Sequence, residues 1–217
     1  MIPFRDRTEA GRALAVLLSE YAGRHEVVVL ALPRGGVPVA YQVATAIRAP
    51  LDILAVRKLG VPGHEELALG AIASGGIAVL NAPLAAALEL APADVVRVVQ
   101  QERRELKRRQ RLYRDHRPYP AIYGKIVLLV DDGLATGASM HVALRTLRRK
   151  HPAKLVVAVP VAPQDTCEVL RRDADDIVCC EMPEPFDGVG ASYLDFSQVT
   201  DDEVRDLLRR AAMEQAS

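Results

Sequence analysis

A chain of 217 residues is long enough for one domain with a sizeable core. It is 50% hydrophobic and 26% charged, ordinary values for a soluble globular domain. Its 28 Lys and Arg balance its 28 Asp and Glu, so no bulk charge drives it onto nucleic acid or membrane.

The N-terminus, Met1 to Arg7, is charged from the fifth residue and lacks the apolar stretch of a signal peptide; no later apolar run approaches membrane-spanning length. Thr8 to Ala22 carries Ala10, Leu14, Leu17, Leu18 and Tyr21 at helical spacing, with Asp6 or Thr8 as candidate N-cap. Val27 to Leu32 reads as a short buried strand, Pro33 to Gly36 as a sharp loop and Val37 to Ile47 as the helix after it. Leu51 to Val56 is a second strand. Arg57 to Glu66 is polar, contains Gly60, Pro62 and Gly63, and reads as a mobile loop. Leu67 to Ala73 and Gly76 to Leu80 read as paired strands around a Ser74-Gly75 turn. Pro92 to Tyr113 is a long helical segment. After the central strand come a helix over 138–150, a strand Leu155 to Val161, a helix Gln164 to Arg172 and a strand Asp176 to Glu181. An irregular stretch 182–199 and a helix over 201–213 close the chain. Alternation of this kind predicts a parallel β-sheet flanked by helices, with ligands outside the C-terminal ends of the strands. The odd set Cys167, Cys179 and Cys180, without C-x-x-C spacing, argues against disulfides and zinc and for a reducing cytoplasm.

The central segment runs Val127-Leu128-Leu129-Val130-Asp131-Asp132-Gly133-Leu134-Ala135-Thr136-Gly137-Ala138-Ser139. Four consecutive aliphatics suit a strand covered on both faces. Small residues then let a loop wrap closely around a ligand, with backbone N–H groups turned inward. The helix from Ala138 starts at that loop, so its positive dipole end faces the same point. Such a loop suits a phosphate monoester. The two aspartates would repel a phosphate and imply another group: sugar hydroxyls, a metal ion or a developing positive charge. P-loop and G-x-G-x-x-G patterns are missing.

This segment resembles the phosphoribosyl-pyrophosphate (PRPP) motif of the type I phosphoribosyltransferases at all thirteen positions. The resemblance implies that Asp131 and Asp132 face the ribose 2′- and 3′-hydroxyls and that Ala135, Thr136, Gly137, Ala138 and Ser139 cradle the 5′-phosphate. Pro33-Arg34-Gly35-Gly36 sits where that family binds pyrophosphate, often through a cis peptide next to a Gly, which gives Arg34 and Gly35 that role. Arg57 and Lys58, adjacent cations after the second strand, look like the start of the loop that closes over PRPP in adenine phosphoribosyltransferases. Within that loop His64, Glu65 and Glu66 are the titratable groups, candidates for proton exchange with the incoming base. The basic run Glu102 to Arg117, with eight Lys or Arg, reads as a solvated helix face with pairs such as Glu105–Arg109, because no aromatics interleave for base stacking.

In this fold a variable hood reads the base. Phe186, Tyr193 and Phe196 lie in the corresponding stretch, and Phe186 and Tyr193 are the expected stacking rings. Together these segments and the Tyr-Leu-Asp-Phe tail resemble the bacterial predicted-phosphoribosyltransferase family of unassigned substrate. One phosphoribosyltransferase domain is expected over 1–217, with a core over about 1–181 and a hood over 182–199 plus the helix 201–213. The implied reaction displaces pyrophosphate from PRPP by a nitrogenous base. Mg²⁺ would be the cofactor, with no metal ligand directly from the protein. A cytoplasmic homodimer is expected, without membrane or nucleic-acid partners. Ala135 replaces the acid of hypoxanthine–guanine enzymes, so hypoxanthine and guanine are expected to be poor acceptors. The rival reading is a PRPP- or nucleotide-sensing protein without turnover. A hydrolase would need a G-x-S-x-G elbow, which is missing.

Overall fold

The computed structural model describes residues 2–62, 64–74, 78–114 and 119–215, without the side chains of Glu65, Glu66, Ala68 and Arg109. Helix α1 (Arg7–Leu17) begins at Asp6, whose carboxylate accepts the Glu9 N–H at 2.8 Å. Strand β1 (Val27–Ala31) is buried at every position and leads into α2 (Gly36–Ile47). Next come β2 (Leu51–Ile53), β3 (Val56–Val61), β4 (His64–Ala73) and β5 (Ala78–Leu80). Helices α3 (Ala82–Ala87) and α4 (Pro92–Arg114) follow. The second half alternates β6 (Ile126–Val130), α5 (Ala138–Arg148), β7 (Lys154–Val161), α6 (Gln164–Leu170) and β8 (Asp176–Glu181), and ends with α7 (Asp201–Gln215).

Five strands form one parallel sheet in the order β2-β1-β6-β7-β8. One face is covered by α1, α2 and α7 through Leu14, Val39, Val43 and Leu208; the other by α5 and α6 through Met140, Leu144, Leu147 and Leu170. Both faces being dry explains the unbroken aliphatic runs of β1 and β6. All three cysteines are free thiols; Cys179 and Cys180 lie half-buried on β8, less enclosed than a core strand would have them.

The expected mobile loop is a correction. Arg57 to Glu66 belongs to an antiparallel hairpin, β3 with β4, and Ala78–Leu80 extends it to a three-stranded second sheet. Leu59, Val61, Leu69 and Ile72 are buried against Leu106 of α4, with Val95, Val98 and Val99 packed alongside. Burial of that apolar set outweighs the turn-forming composition, and the chain reverses only between Val61 and His64, which pair. The second strand correspondingly stops at Ile53, before the expected Val56. Helix α3 has no counterpart among the elements expected from sequence; Asn81 caps it by accepting the Leu84 N–H at 3.2 Å.

Candidate active site

The parallel register sets the site. Ala31 pairs with Val130, and the Leu32 N–H donates to the Val130 carbonyl at 2.9 Å. The loops leaving β1 and β6 therefore emerge side by side at the C-terminal edge. The first contains a cis peptide between Pro33 and Arg34 and delivers Gly35 against the acid pair. A Cβ on Gly35 would stand 2.0 Å from Oδ2 of Asp132, so only glycine fits there without moving that carboxylate.

Asp131 and Asp132 are both half-buried at the end of β6. The Asp132 N–H donates to Oδ1 of Asp131 at 2.9 Å, which fixes the first carboxylate. Burial raises the Asp131 carboxyl well above the usual carboxylate range, and the neighbouring charge of Asp132 adds to it; Arg7 acts in the opposite direction. Asp132 is held from two sides. Its Oδ2 accepts Nε–H of Arg7 at 2.8 Å, and its backbone carbonyl accepts the Tyr193 hydroxyl at 2.6 Å.

Beyond the acids the chain forms a cleft of about 240 Å³ lined by Asp131, the run Gly133 to Met140, and Val189. Gly137 caps α5 in a left-handed conformation, φ 68°, and the first residues of the helix, Ala138, Ser139 and Met140, line this cleft. The N–H groups of a helix's first turn lack intrahelical partners, and here they share that end with the positive pole of an eleven-residue helix. Thr166 of α6 braces the loop from behind by donating to the Ala135 carbonyl at 2.7 Å.

The structure thus brings together Asp131, Asp132, Gly35 and the run Ala135 to Ser139. Arg34 borders the group; its guanidinium lies 3.8 Å from Asp201 at the start of α7. The two cations of β3 do not act as a pair, because adjacent strand residues point to opposite faces. Arg57 turns to α4 and meets Glu102 at 2.7 Å, while Lys58 lies on the exposed face. The side chains of Glu65 and Glu66 lie outside the described residues. Expected as a base-stacking ring, Tyr193 is instead 6% exposed: Phe196 stacks on it at 5.1 Å, Phe4 lies beside it, and its hydroxyl is committed to Asp132. Phe186 packs half-buried against the cluster of Ala10, Val161 and Tyr193.

Sequence reasoning missed Arg7 and Thr166. Neither belongs to a local pattern around the acids: Arg7 is 125 positions from Asp132 and Thr166 is 31 from Ala135. Among the described residues no group of three or more His, Cys, Asp or Glu is arranged to hold a metal ion, and no helix is long and apolar enough to cross a membrane.

Comparison with known proteins agrees with this architecture. A family model described as a phosphoribosyl transferase domain matches residues 6–195. Over 208 residues, 96% of the chain, the sequence is 45% identical to "Putative phosphoribosyl transferase Rv0571c" of Mycobacterium tuberculosis strain H37Rv, and equally to its namesake MT0597 of strain CDC 1551. The chain spans 47% of those two proteins, about half their length. Among solved structures, TT1426 from Thermus thermophilus matches with a TM-score of 0.82 and 44% identity, over 96% of this chain and 98% of that one. The fold is that of the type I phosphoribosyltransferases, and the chain belongs to the phosphoribosyl transferase domain family.

Proposed function

We propose that this protein transfers the phosphoribosyl group of PRPP to a nitrogenous base and releases pyrophosphate. The observation that carries the reading is the acid pair at the end of β6, whose first member, Asp131, lines the cleft at the start of α5. A ligand spanning both must present a phosphate to the cleft and hydroxyls to the acids, which describes a ribose 5-phosphate. The N–H groups of the first turn of α5, with the hydroxyls of Thr136 and Ser139, would hold the phosphate. Asp131 and Asp132 would accept from the ribose hydroxyls. As the C1–O bond to pyrophosphate breaks, positive charge grows on the ribose ring, and carboxylates already beside the sugar favour it. The base nitrogen forms the new bond at C1 and gives up its proton, and pyrophosphate leaves with the electron pair of the old bond and can take that proton. Backbone around Gly35 and the Arg34 cation flank the side from which it departs.

The donor set also fits Mg²⁺ in one respect. Asp131 and Asp132 offer the hard carboxylate oxygens that Mg²⁺ takes, an ion otherwise held largely by water and substrate oxygens. When bound, that ion would neutralise pyrophosphate charge. The homodimer and the cytoplasmic location expected from the sequence remain parts of this proposal.

Pyrophosphate release from PRPP and Mg²⁺, measured across a panel of nucleobases, tests the reading. Release that depends on a particular base is expected, with hypoxanthine and guanine poor because Ala135 offers no acid. Binding of PRPP without release for any base would replace the enzyme by a sensor. Failure to bind PRPP at all would overturn the assignment of the site.

A further inference from the structure

Residues 4–7 and 192–197 form a strap across the acid pair, built from opposite ends of the chain. Phe4 donates its N–H to the Ser192 carbonyl at 2.9 Å; Leu194 and Asp195 donate to the carbonyls of Phe4 and Arg5 at 2.8 and 2.9 Å. Asp6 then caps α1, which fixes Arg7 in the first helical turn. From there the guanidinium reaches three partners at once. Its Nε–H meets Asp132 at 2.8 Å, its NH1 donates to the Ser197 carbonyl at 2.8 Å, and its plane lies over the Phe196 ring at 4.0 Å. The Arg7 and Asp132 side chains are only 11% and 14% exposed, so water screens the pair little. A planar fork stacked on a ring and bonded on two edges is held in one orientation, and its Nε–H restrains the Oδ2 of Asp132 that it meets.

We propose that Arg7 is a positioning residue for the reaction: it locks the Asp132 carboxylate in one orientation and compensates its charge, so that the acid pair accepts a ribose already carrying phosphates. The inference rests on the phosphoribosyl-transfer reading of the site. Two adjacent carboxylates would otherwise repel each other and the anionic substrate. Arg7 sets this balance without occupying the sugar's place, because it approaches Asp132 from the strap side, where Tyr193 holds the backbone of the same residue. A Cβ on Gly35 would stand 2.0 Å from Oδ2, the same oxygen that Arg7 holds.

The role separates ligands that use the acids from those that do not. Binding of PRPP with Mg²⁺, of ribose 5-phosphate and of pyrophosphate with Mg²⁺ is measured by calorimetry for wild type, Arg7→Gln and Arg7→Lys. Arg7→Gln is expected to weaken both ribose ligands about ten- to a hundredfold, the range for one charge-assisted hydrogen bond, and to leave pyrophosphate within about twofold. Arg7→Lys restores the charge but not the planar fork, and is expected to keep a several-fold loss confined to the ribose ligands. In an Asp132→Asn background, Arg7→Gln is expected to cost little more, because its target is gone. Equal losses for pyrophosphate and the ribose ligands, or no loss for either, would overturn the proposal. If Arg7→Gln does not fold, Arg7→Lys decides: a loss that spares pyrophosphate supports positioning, and an unselective loss or no loss refutes it. A wild-type protein that does not bind PRPP would instead defeat the underlying reading, and this inference with it.

Discussion

Asp131→Asn should make the protein more stable and less active. The carboxyl is raised well above its ordinary range by burial first and by Asp132 second, so its ionised form is disfavoured in the folded state. An acid whose folded value lies above its unfolded one contributes stability below the unfolded value and loses it as pH rises through the folded value. Asparagine imitates the protonated form, and its Oδ1 can still accept the Asp132 N–H that now bonds at 2.9 Å. The substitution should therefore be close to neutral near pH 4, about the unfolded value of an aspartate, and increasingly stabilising toward pH 7. A gain of about 0.5–2 kcal/mol is expected, the range of a single charge-optimising substitution. Arg7 already offsets part of the repulsion, which favours the lower half of that range. For a chain of this length each kcal/mol moves Tm by about 2–4 °C, so a rise of about 1–4 °C at neutral pH is expected. Turnover should fall about ten- to a thousandfold as one electrostatic stabiliser is lost. Thermal unfolding from acid to neutral pH, beside a pyrophosphate-release assay, reads both. A variant less stable than wild type at pH 7, or a difference that does not change with pH, would refute the reasoning.

Gly35→Ala places a methyl group 2.0 Å from the Asp132 carboxylate, which must swing off Arg7. We expect a folded protein destabilised by about 1–3 kcal/mol in thermal or denaturant unfolding, with a large loss of PRPP affinity by calorimetry; an unchanged affinity would mean that the Asp132 orientation is unimportant. Ser139→Ala should weaken nucleoside monophosphate binding by about 1.5–3 kcal/mol and leave the matching nucleoside unchanged, and equal losses for the two would remove the phosphate from this cleft. Thr166→Val removes the 2.7 Å brace on the Ala135 carbonyl, at a cost of about 0.5–1.5 kcal/mol in stability, and should weaken ribose 5-phosphate several-fold without contacting it. A stability loss with no change in ribose 5-phosphate affinity would confine Thr166 to packing.

The parts of the site that could be read from the sequence are contiguous in it. Strand, acids, loop and helix from Ile126 to Arg148 follow one another without interruption, so residue type and order alone predict their geometry. The Pro33 to Gly36 loop was legible for the same reason: it leaves a buried strand next to the first in the sheet. Arg57 to Glu66 misled because Gly60, Pro62 and Gly63 suggested flexibility across the whole stretch. The alternation of Leu59 and Val61 with Lys58, Gly60 and Pro62 was the better signal, but it is only one period long. Its meaning depends on the apolar stripe of α4, some 40 residues later, which supplies the other half of the core. That stripe also explains the basic run: Leu106 faces in, while Arg108 lies outside and pairs with Glu105.

The strap is the harder case, and its illegibility has a physical cause. Arg7 stands in a charged N-terminal stretch of the kind usually left in solvent, and Tyr193 and Phe196 sit in a segment without period. Each side chain has an ordinary surface explanation in isolation. Their joint meaning arises because α1 packs on α2, β7 and β8, and the chain leaving β8 returns to pack Tyr193 against Val161 of β7, so that Arg7 holds the side chain and Tyr193 the backbone carbonyl of one residue. Local chemistry thus specifies what the acids are, and tertiary packing specifies how they are charged and aimed. A substitution at either end of the chain can therefore alter the site without touching the thirteen-residue motif, and sequence identity within that motif alone does not guarantee equal affinity for the sugar.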